Sequence, residues 1–422
     1  MWENHNTYEM KSFKNILAMS AIALAAMTSC SEKETVFISG ESSSSFASSA
    51  QVEKRSDMRI FVHYMPWFQS KEFSGEWGMH WKMDRCNPDN IKADGKREIA
   101  SHFYPLAEPY DSSDPVVLDY HALLMKYSGI EGVLVDWYGS RNGAESTEAL
   151  FDAMKRAGLQ LAVVYEDRNN LDGASTQSQK IKWGQDDMIY LYNNFFKSPN
   201  YVKVDGNPLL MCFGPIDVST ENFKRAPSMW TEIFSPLTVR KTTPCFLALY
   251  GASKNANDDR NHNAMGEFTW VNANNASFLD NLKQNFSTYM GSAYPGFKDY
   301  YKEGGWGDNI TAVDYRDGQE FRDQLNVADT KKVPMLQLVT WNDFGEGTQI
   351  EPTVEDGFKY LEMVQQFAKV KYDKKVLESI YRHYTLRRKY AKDAASTAKL
   401  NAAYKAFANL DPNKAEDLMK GL

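Results

Sequence analysis

From Arg59 onward the chain repeats one pattern, and that pattern limits what it can fold into. Eight short strand-like apolar runs cover residues 60–64, 132–137, 160–165, 209–213, 246–250, 267–271, 289–293 and 335–341. Between most of them, apolar residues recur at helical spacing. Val116, Tyr120, Leu123, Leu124 and Tyr127 share one face, as do Leu150, Met154 and Ala157, and Met188, Leu191, Tyr192 and Phe195. Phe278, Leu282 and Phe286 repeat the spacing, then Phe321 and Leu325, then Leu361, Val364 and Phe367. Strands buried on both faces that alternate with helices imply a parallel sheet. Eight β/α units that close on themselves imply a single α/β (β/α)8 TIM barrel. The competing fold, an open doubly wound sheet, places a Gly-rich phosphate loop after its first strand. Here His63-Tyr64-Met65-Pro66-Trp67 stands in that place.

The 422 residues are 43% hydrophobic and 24% charged, enough for a large core and unlike a disordered chain. A net charge of −7 without a basic stripe argues against nucleic-acid partners. The N-terminus is a targeting segment rather than fold. Met10-Lys11-Ser12-Phe13-Lys14 is basic, residues 16–27 are apolar but too short to span a bilayer, and the run ends in Met27-Thr28-Ser29-Cys30. This resembles a bacterial lipoprotein signal, with Cys30 as the lipidated first mature residue; the alternative is a plain secretory signal with an incidental cysteine. The expected location is the cell envelope of a Gram-negative bacterium, on the outer membrane, with the acidic Ser31-Glu32-Lys33-Glu34 pointing to surface export. The lipid anchor is the one membrane contact expected.

The expected organisation is a signal segment over 1–30, a Ser-rich flexible tether over 31–56, the barrel over 57–372, and helices over 373–422 packed on its outside. Asp114-Pro115 and Asp411-Pro412 are helix starts, an N-cap followed by Pro at the first helical position. The basic run Arg387-Arg388-Lys389 is expected to be a solvated face. Cys86, Cys212 and Cys245 show no zinc-site spacing; Cys212 and Cys245 lie in apolar runs and read as small core residues.

Barrel active sites lie at the carboxyl ends of the strands, and the residues that close the runs share a chemistry. The first run ends in His63-Tyr64-Met65-Pro66-Trp67, the second in Asp136-Trp137-Tyr138, the third in Tyr165-Glu166. Tyr294 follows the seventh, and the eighth ends in Trp341-Asn342-Asp343-Phe344-Gly345-Glu346-Gly347-Thr348. Aromatic faces stack on the C–H faces of a sugar, while carboxylates, His and Asn bond its hydroxyls. Cleavage of a glycosidic bond needs two carboxyls, one acid and one base or nucleophile. Asp343 and Glu346, three residues apart on a Gly-containing turn, are the expected catalytic pair. Each also has a plainer reading, as a loop carboxylate or a helix cap. Glu166, Asp136, Trp137, Tyr64, Trp67, His63, Tyr294, Trp341 and Asn342 are the expected substrate-binding residues. For Asp136 an inter-strand hydrogen-bonding role weighs equally, and for His63 a buried structural role. Glu267 is ambiguous. His80, His102, His121 and His262 form no ligand set, so no metal is expected. Residues 69–111, with Trp77, His80 and Trp81, are read as a lid or subsite wall, or else as a packing layer on the barrel.

The block Trp341-Asn342-Asp343-Phe344-Gly345-Glu346-Gly347-Thr348-Gln349-Ile350-Glu351-Pro352 resembles glycoside hydrolase families 71 and 99, and the resemblance extends over residues 59–352. His63-Tyr64-Met65-Pro66-Trp67, Asp136-Trp137-Tyr138, Tyr165-Glu166 and Tyr294-Pro295-Gly296 support it. The resemblance implies a (β/α)8 fold. It also implies the activity of endo-acting α-mannosidases and α-mannanases (family 99) or α-1,3-glucanases (family 71). Glu346 matches the acid/base position and Asp343 the other catalytic position; Glu166, Trp137, Tyr64 and Tyr294 match residues that line the sugar site. In family 99 the position of Asp343 holds a Glu that deprotonates the substrate's own 2-hydroxyl, giving a 1,2-anhydro sugar. The shorter Asp resembles family 71, whereas the start of the chain resembles family 99, so the chain is placed between them.

The sequence therefore predicts a lipid-anchored glycoside hydrolase that cleaves an α-linked oligo- or polysaccharide of mannan or glucan type, without a cofactor. The alternative is a non-catalytic glycan-binding surface lipoprotein on the same scaffold. A metal-dependent hydrolase of a non-sugar bond would need a His/Asp cluster at the strand ends that the sequence does not offer.

Overall fold

A computed structural model of the chain describes residues 46–54, 57–171, 173–215, 226–272 and 275–422. The expected signal segment with Cys30, and residues 31–45 of the expected tether, lie outside the described residues.

Eight parallel strands form the wall of a barrel: β1 (Arg59–Tyr64), β2 (Gly132–Trp137), β3 (Gln160–Tyr165), β4 (Asn207–Cys212), β5 (Cys245–Leu249), β6 (Gly266–Phe268), β7 (Gly291–Ala293) and β8 (Met335–Leu338). Their hydrogen-bonded order is β6-β5-β4-β3-β2-β1-β8-β7. The ring closes between β6 and β7, where Met290 N donates to Glu267 O and Thr269 N to Met290 O, both at 3.1 Å. The expected (β/α)8 barrel is the observed fold. β8 is shorter than expected because the chain leaves the wall after Leu338. β2 is buried along its whole length, since helices cover its outside and side chains fill its inside. Gly132 is required there by close approach: a Cβ would sit 2.2 Å from the Gln160 carbonyl oxygen of β3.

The outer layer contains α1 (Pro115–Tyr127), α2 (Ala144–Ala157), α3 (Gln177–Leu191), α4 (Pro227–Val239), α5 (Asn275–Asn285), α6 (Gln319–Lys331) and α7 (Lys359–Ala368). The α4 helix escapes a periodicity reading because Pro236 interrupts it, yet Met229, Trp230, Ile233, Phe234 and Leu237 bury one face. Both expected caps form: the Asp114 carboxylate accepts from Val116 N (2.8 Å) and that of Asp411 from Lys414 N (3.0 Å).

Beyond the barrel run α8 (Lys374–Lys389), α9 (Ala394–Ala408) and α10 (Pro412–Met419). Here the expected solvated basic face is corrected. Arg387 pairs at 2.7 Å with Asp119 of α1, which also meets Arg156 of α2 at 2.7 Å, and Arg388 pairs with Asp114 at 2.7 Å. Arg387 and Arg388 thus pack α8 on the barrel because α1 and its N-cap present carboxylates to them, while Lys389 lies exposed, as expected of a solvated face.

Two further stretches differ from expectation. Residues 46–54, inside the span read as flexible tether, lie against the barrel: Ser48 Oγ donates to Ala408 O (2.7 Å), and Lys126 Nζ donates to Ala50 O (2.6 Å). The stretch 69–111 is largely a packing layer. Trp81 is fully buried, stacks on Phe68 at 4.0 Å and donates Nε1 to Tyr110 O (2.8 Å). Tyr384 of α8 pins the same layer by donating to Ala107 O (2.8 Å).

Candidate active site

Successive residues of a strand point to opposite sides of the wall, and this decides which strand-end residues can meet a substrate. On β1, His63 faces the barrel interior, edge-on to Trp270 at 4.7 Å. Its neighbour Tyr64 faces outward and meets His121 Nδ1 of α1 at 3.1 Å. On β2, Asp136 faces inward, and Trp137 turns out to stack on Tyr190 of α3. On β3, Tyr165 points out and donates to Asp187 of α3 at 2.7 Å, which leaves Glu166, the next residue, on the inner side.

Asp136, Glu166 and Asp343 thus gather at the carboxyl end of the barrel, all less than a tenth exposed. The Asp136 carboxyl lies beside the Tyr138 hydroxyl and the Glu166 carboxyl, and the charge of Asp343 reaches it. Burial is the largest cause that pushes the Asp136 carboxyl far above the usual carboxylate range, and the Asp343 charge adds to it. Asp343 is likewise raised toward neutrality by burial; the N–H groups of Glu346 and Gly345 oppose that shift, and the charge of Asp299 adds to it. Burial also drives the Tyr138 hydroxyl well above its ordinary value, with Asp136, Glu166 and Asp343 contributing. Burial lowers His63 to about 3, so its ring is neutral.

The loop after β8 sets the expected catalytic pair. Trp341 N donates to His63 O (2.6 Å), Thr340 N to Thr348 O (2.9 Å) and Ile350 N to Thr340 O (2.9 Å), which fixes both ends. Within it, Glu346 N donates to Asp343 Oδ1 at 2.9 Å. The loop after β7 runs alongside, with Lys298 N donating to Glu346 O (2.9 Å) and Tyr300 N to Gly345 O (2.8 Å). Tyr301 then donates its hydroxyl to Glu346 Oε1 at 2.9 Å. Gly347 is demanded by its φ of +69° and by Lys298 O, which a Cβ would approach to 2.7 Å. Glu346 itself is half-buried.

Half-buried aromatic residues surround these carboxyls. Trp67 lies flat on His80, ring centroids 4.0 Å apart, with Tyr138 at 6.4 Å. Trp306 meets His80 edge-on at 5.6 Å and stacks with Tyr301 at 6.2 Å. The rim thus combines buried and half-buried carboxyls with flat aromatic faces, and a pair of carboxyls is what glycosidic cleavage needs.

Several expected sugar contacts are not on this surface. Tyr64, Trp137, Tyr294 and Trp341 are at most 1% exposed. The Tyr294 hydroxyl donates to Asn272 O (2.8 Å) and accepts from Gln324 Nε2 (3.1 Å). Trp341 packs edge-on against His121 at 5.2 Å. Asn342 spends its amide on the β1 loop: Oδ1 accepts from Met65 N (2.8 Å), and Nδ2 donates to Met65 O and Tyr110 (both 3.0 Å). These residues hold the loops that carry the carboxyls, and the strand pleat explains why neighbours cannot share one face. Glu267 caps a loop, accepting from Gly251 N (2.9 Å) and Ser253 N (3.0 Å). The sequence reading omitted Tyr138, Tyr301 and Trp306 from the site, and held His80 only as part of the stretch read as a lid or subsite wall, where it lies against Trp67. Tyr138 carried a signal, since it follows an inward Asp and outward Trp in one motif. Tyr301 and Trp306 carried none, because a long loop brings them to the turn.

A cleft of about 690 Å³ opens at the opposite end of the barrel, lined by Arg59, Lys203, Asp329 and neighbours. It lies at the amino ends of the strands, the face that serves stability in this fold. Among the described residues no group of three or more His, Cys, Asp or Glu side chains is placed to hold a metal ion.

Residues 56–382 match the family model of glycosyl hydrolase family 99. The glycoprotein endo-alpha-1,2-mannosidase of Mus musculus is 24% identical over 341 residues, which cover 73% of this chain and 71% of that protein. The Xenopus laevis enzyme of the same name is 23% identical, covering 71% of this chain and 70% of its own length. Among solved structures, the GH99 endo-alpha-mannosidase of Bacteroides thetaiotaomicron superposes with a TM-score of 0.58 at 20% identity, covering 74% of this chain and 98% of that one. The last match is a likeness of fold.

Proposed function

The chain belongs to glycosyl hydrolase family 99, and from that premise we propose that it hydrolyses an α-linked glycan of mannan type with Glu346 and Asp343 as the catalytic pair. The observation that carries this reading is the turn that seats the two side by side at the barrel mouth, with Glu346 Oε1 held by Tyr301. Glu346 protonates the departing glycosidic oxygen. Asp343 is the general base, acting on water or on the substrate's 2-hydroxyl; its raised proton affinity suits it to take a proton near neutral pH. Trp67, Tyr138 and Trp306 supply faces for sugar rings. Carboxyl acid/base chemistry of this kind requires no cofactor. The mannan class is supported by the names of the relatives, which are endo-alpha-mannosidases.

The proposal includes a lipid anchor at Cys30 on the outer membrane of a Gram-negative envelope, supported by the basic and apolar run that precedes this cysteine. Membrane fractionation of the full chain beside Cys30→Ala tests it; equal membrane association of both proteins would remove the anchor.

The activity is tested by assaying the purified protein on α-mannans and α-1,3-glucans beside Asp343→Asn and Glu346→Gln. The expected result is a product from α-mannan that both variants fail to form while still binding the polymer. A product from α-1,3-glucan alone would replace the substrate class. Binding without a product in all three proteins would replace hydrolysis with glycan binding.

A further inference from the structure

We propose that Tyr110, oriented by Glu351, is a positioning residue for the base Asp343, and that the acid Glu346 on the same turn is seated separately by Tyr301; this assignment rests on the function proposed above. Asn342, the residue before Asp343, uses its whole amide. Oδ1 accepts from Met65 N at 2.8 Å, so the amide oxygen must face that N–H. Nδ2 then carries one hydrogen to Met65 O and the other to the Tyr110 hydroxyl oxygen, both at 3.0 Å. Having accepted that hydrogen, the Tyr110 hydroxyl directs its own to Glu351 Oε2 at 2.7 Å. The other oxygen of Glu351 meets His121 Nε2 at 3.1 Å, and the far nitrogen of that ring meets the Tyr64 hydroxyl, also at 3.1 Å. Tyr110, His121, Asn342 and Glu351 are each at most 4% exposed, so water does not compete for these bonds. Burial, with the charge of Glu351 added, pushes the Tyr110 hydroxyl well above its ordinary value, so it keeps the hydrogen that it donates. Its ring is held edge-on to Phe68 at 5.6 Å and to Trp81 at 5.5 Å. The phenol therefore has one position, and it imposes that position on Asn342.

Glu351 also closes the turn that it serves, since its N–H donates to Trp341 O at 2.9 Å. The first half of the turn, up to Asn342, is thus bound to the β1 loop and to α1. The second half is bound to the loop after β7, through Tyr300 N to Gly345 O, Lys298 N to Glu346 O and the Tyr301 hydroxyl to Glu346 Oε1. The halves meet where Glu346 N donates to Asp343 Oδ1 at 2.9 Å. A displacement of Asn342 moves the Asp343 backbone directly, but it reaches the Glu346 side chain only past a second clamp. Loss of the Tyr110 hydroxyl is therefore a lesion of the base, and loss of the Tyr301 hydroxyl a lesion of the acid. Tyr110 lies too deep to touch a sugar, so its effect passes through Asp343.

The test compares two substrates for wild type, Tyr110→Phe and Tyr301→Phe, variants that each lack one hydroxyl. Cleavage of α-mannan needs both the base and the acid, because the departing oxygen must be protonated. An α-mannobiosyl fluoride still needs the base, but fluoride departs without a proton from Glu346. On α-mannan both variants should lower kcat about tenfold or more, with KM little changed, as expected when a reacting group is displaced. On the fluoride Tyr301→Phe should recover to within about twofold of wild type, while Tyr110→Phe keeps its loss. Recovery of Tyr110→Phe on the fluoride would place its effect on the acid and overturn the proposal. A lower unfolding temperature for Tyr110→Phe with unchanged kcat per folded molecule would make the phenol merely structural and overturn it too. Glu351→Gln is a further variant. It retains an oxygen for Tyr110 when its NH2 faces His121, so it should lose less activity than Tyr110→Phe. A larger loss would mean that Glu351 acts without the phenol, and would overturn the route through Tyr110. Inactivity of the wild type on both substrates would instead overturn the function proposed above.

Discussion

The Tyr301 hydroxyl donates to Glu346 Oε1 at 2.9 Å and so ties the long loop after β7 to the side chain of the expected acid, while Lys298 N of the same loop donates to its backbone carbonyl. A phenol that donates to one carboxyl oxygen leaves the proton to reside on the other. Glu346→Gln should lower turnover at least a thousandfold, within the ~10²–10⁴ that general acid–base catalysis contributes plus the cost of a poor leaving group. Tyr301→Phe should lower kcat about tenfold with little change in KM, since one hydrogen bond to a charged group is worth ~1.5–3 kcal/mol. Steady-state kinetics of both variants check this. Equal effects on kcat and KM in Tyr301→Phe would instead place Tyr301 in direct contact with the sugar.

Asp343 should cost the fold stability at high pH. Its folded-state proton affinity is raised by burial, so between the usual carboxylate range and neutrality the native state binds more protons than the unfolded chain. Stability then falls as pH rises through that window. Asn at 343 keeps an oxygen to accept from Glu346 N but carries no charge. Asp343→Asn should therefore raise stability by about 1–3 kcal/mol near pH 8 and by much less near pH 5. Denaturant unfolding at the two pH values measures the difference, and an equal gain at both would contradict a buried charge at this position.

The barrel and the carboxyl end of its strands were legible in the sequence because eight apolar runs alternate with helical periods. The orientation of residues at those ends was not. Strands buried on both faces carry no polar–apolar alternation, so nothing marks Asp136 as inward and Trp137 as outward, or His63 as inward and Tyr64 as outward. An aromatic residue beside a carboxylate looks like a sugar platform whichever way it points. Arg387 and Arg388 were misplaced for a related reason: their partners Asp119 and Asp114 lie on a helix far away in sequence. Asp343 and Glu346 were found because both lie on one turn, where local spacing alone brings them together.

That geometry separates two kinds of aromatic variant. Trp137 is 1% exposed and stacks on Tyr190, so Trp137→Ala should cost ~3–5 kcal/mol of stability, the range for a large core truncation. Trp67 is half-buried at the rim, so Trp67→Ala should instead raise KM for an α-mannan while costing less in the fold. Thermal unfolding and kinetics of the pair read the contrast. A rise in KM with unchanged stability for Trp137→Ala would return that ring to the sugar site.

Lys126 is 2% exposed, and its ammonium donates to Ala50 O (2.6 Å), Ala157 O (2.6 Å) and Ala408 O (2.7 Å). Ala157 and Ala408 are the last residues of α2 and α9, so their carbonyls have no partner within their own helices, and a cation there also meets the negative ends of two helix dipoles. Ala50 belongs to the segment that leads into β1. One side chain therefore joins the N-terminal segment, the barrel layer and the C-terminal helices. Lys126→Met preserves the length of the chain but leaves buried acceptors without a donor, at ~1–3 kcal/mol for each one that water cannot reach. The expected loss is about 2–4 kcal/mol in total, together with faster proteolysis within residues 46–54. Activity per folded molecule should be unchanged, because Lys126 lies at the end of α1 away from the carboxyls at the barrel mouth. Cleavage rates unaltered by the substitution would show that Ser48 and its backbone contacts hold the segment without the lysine.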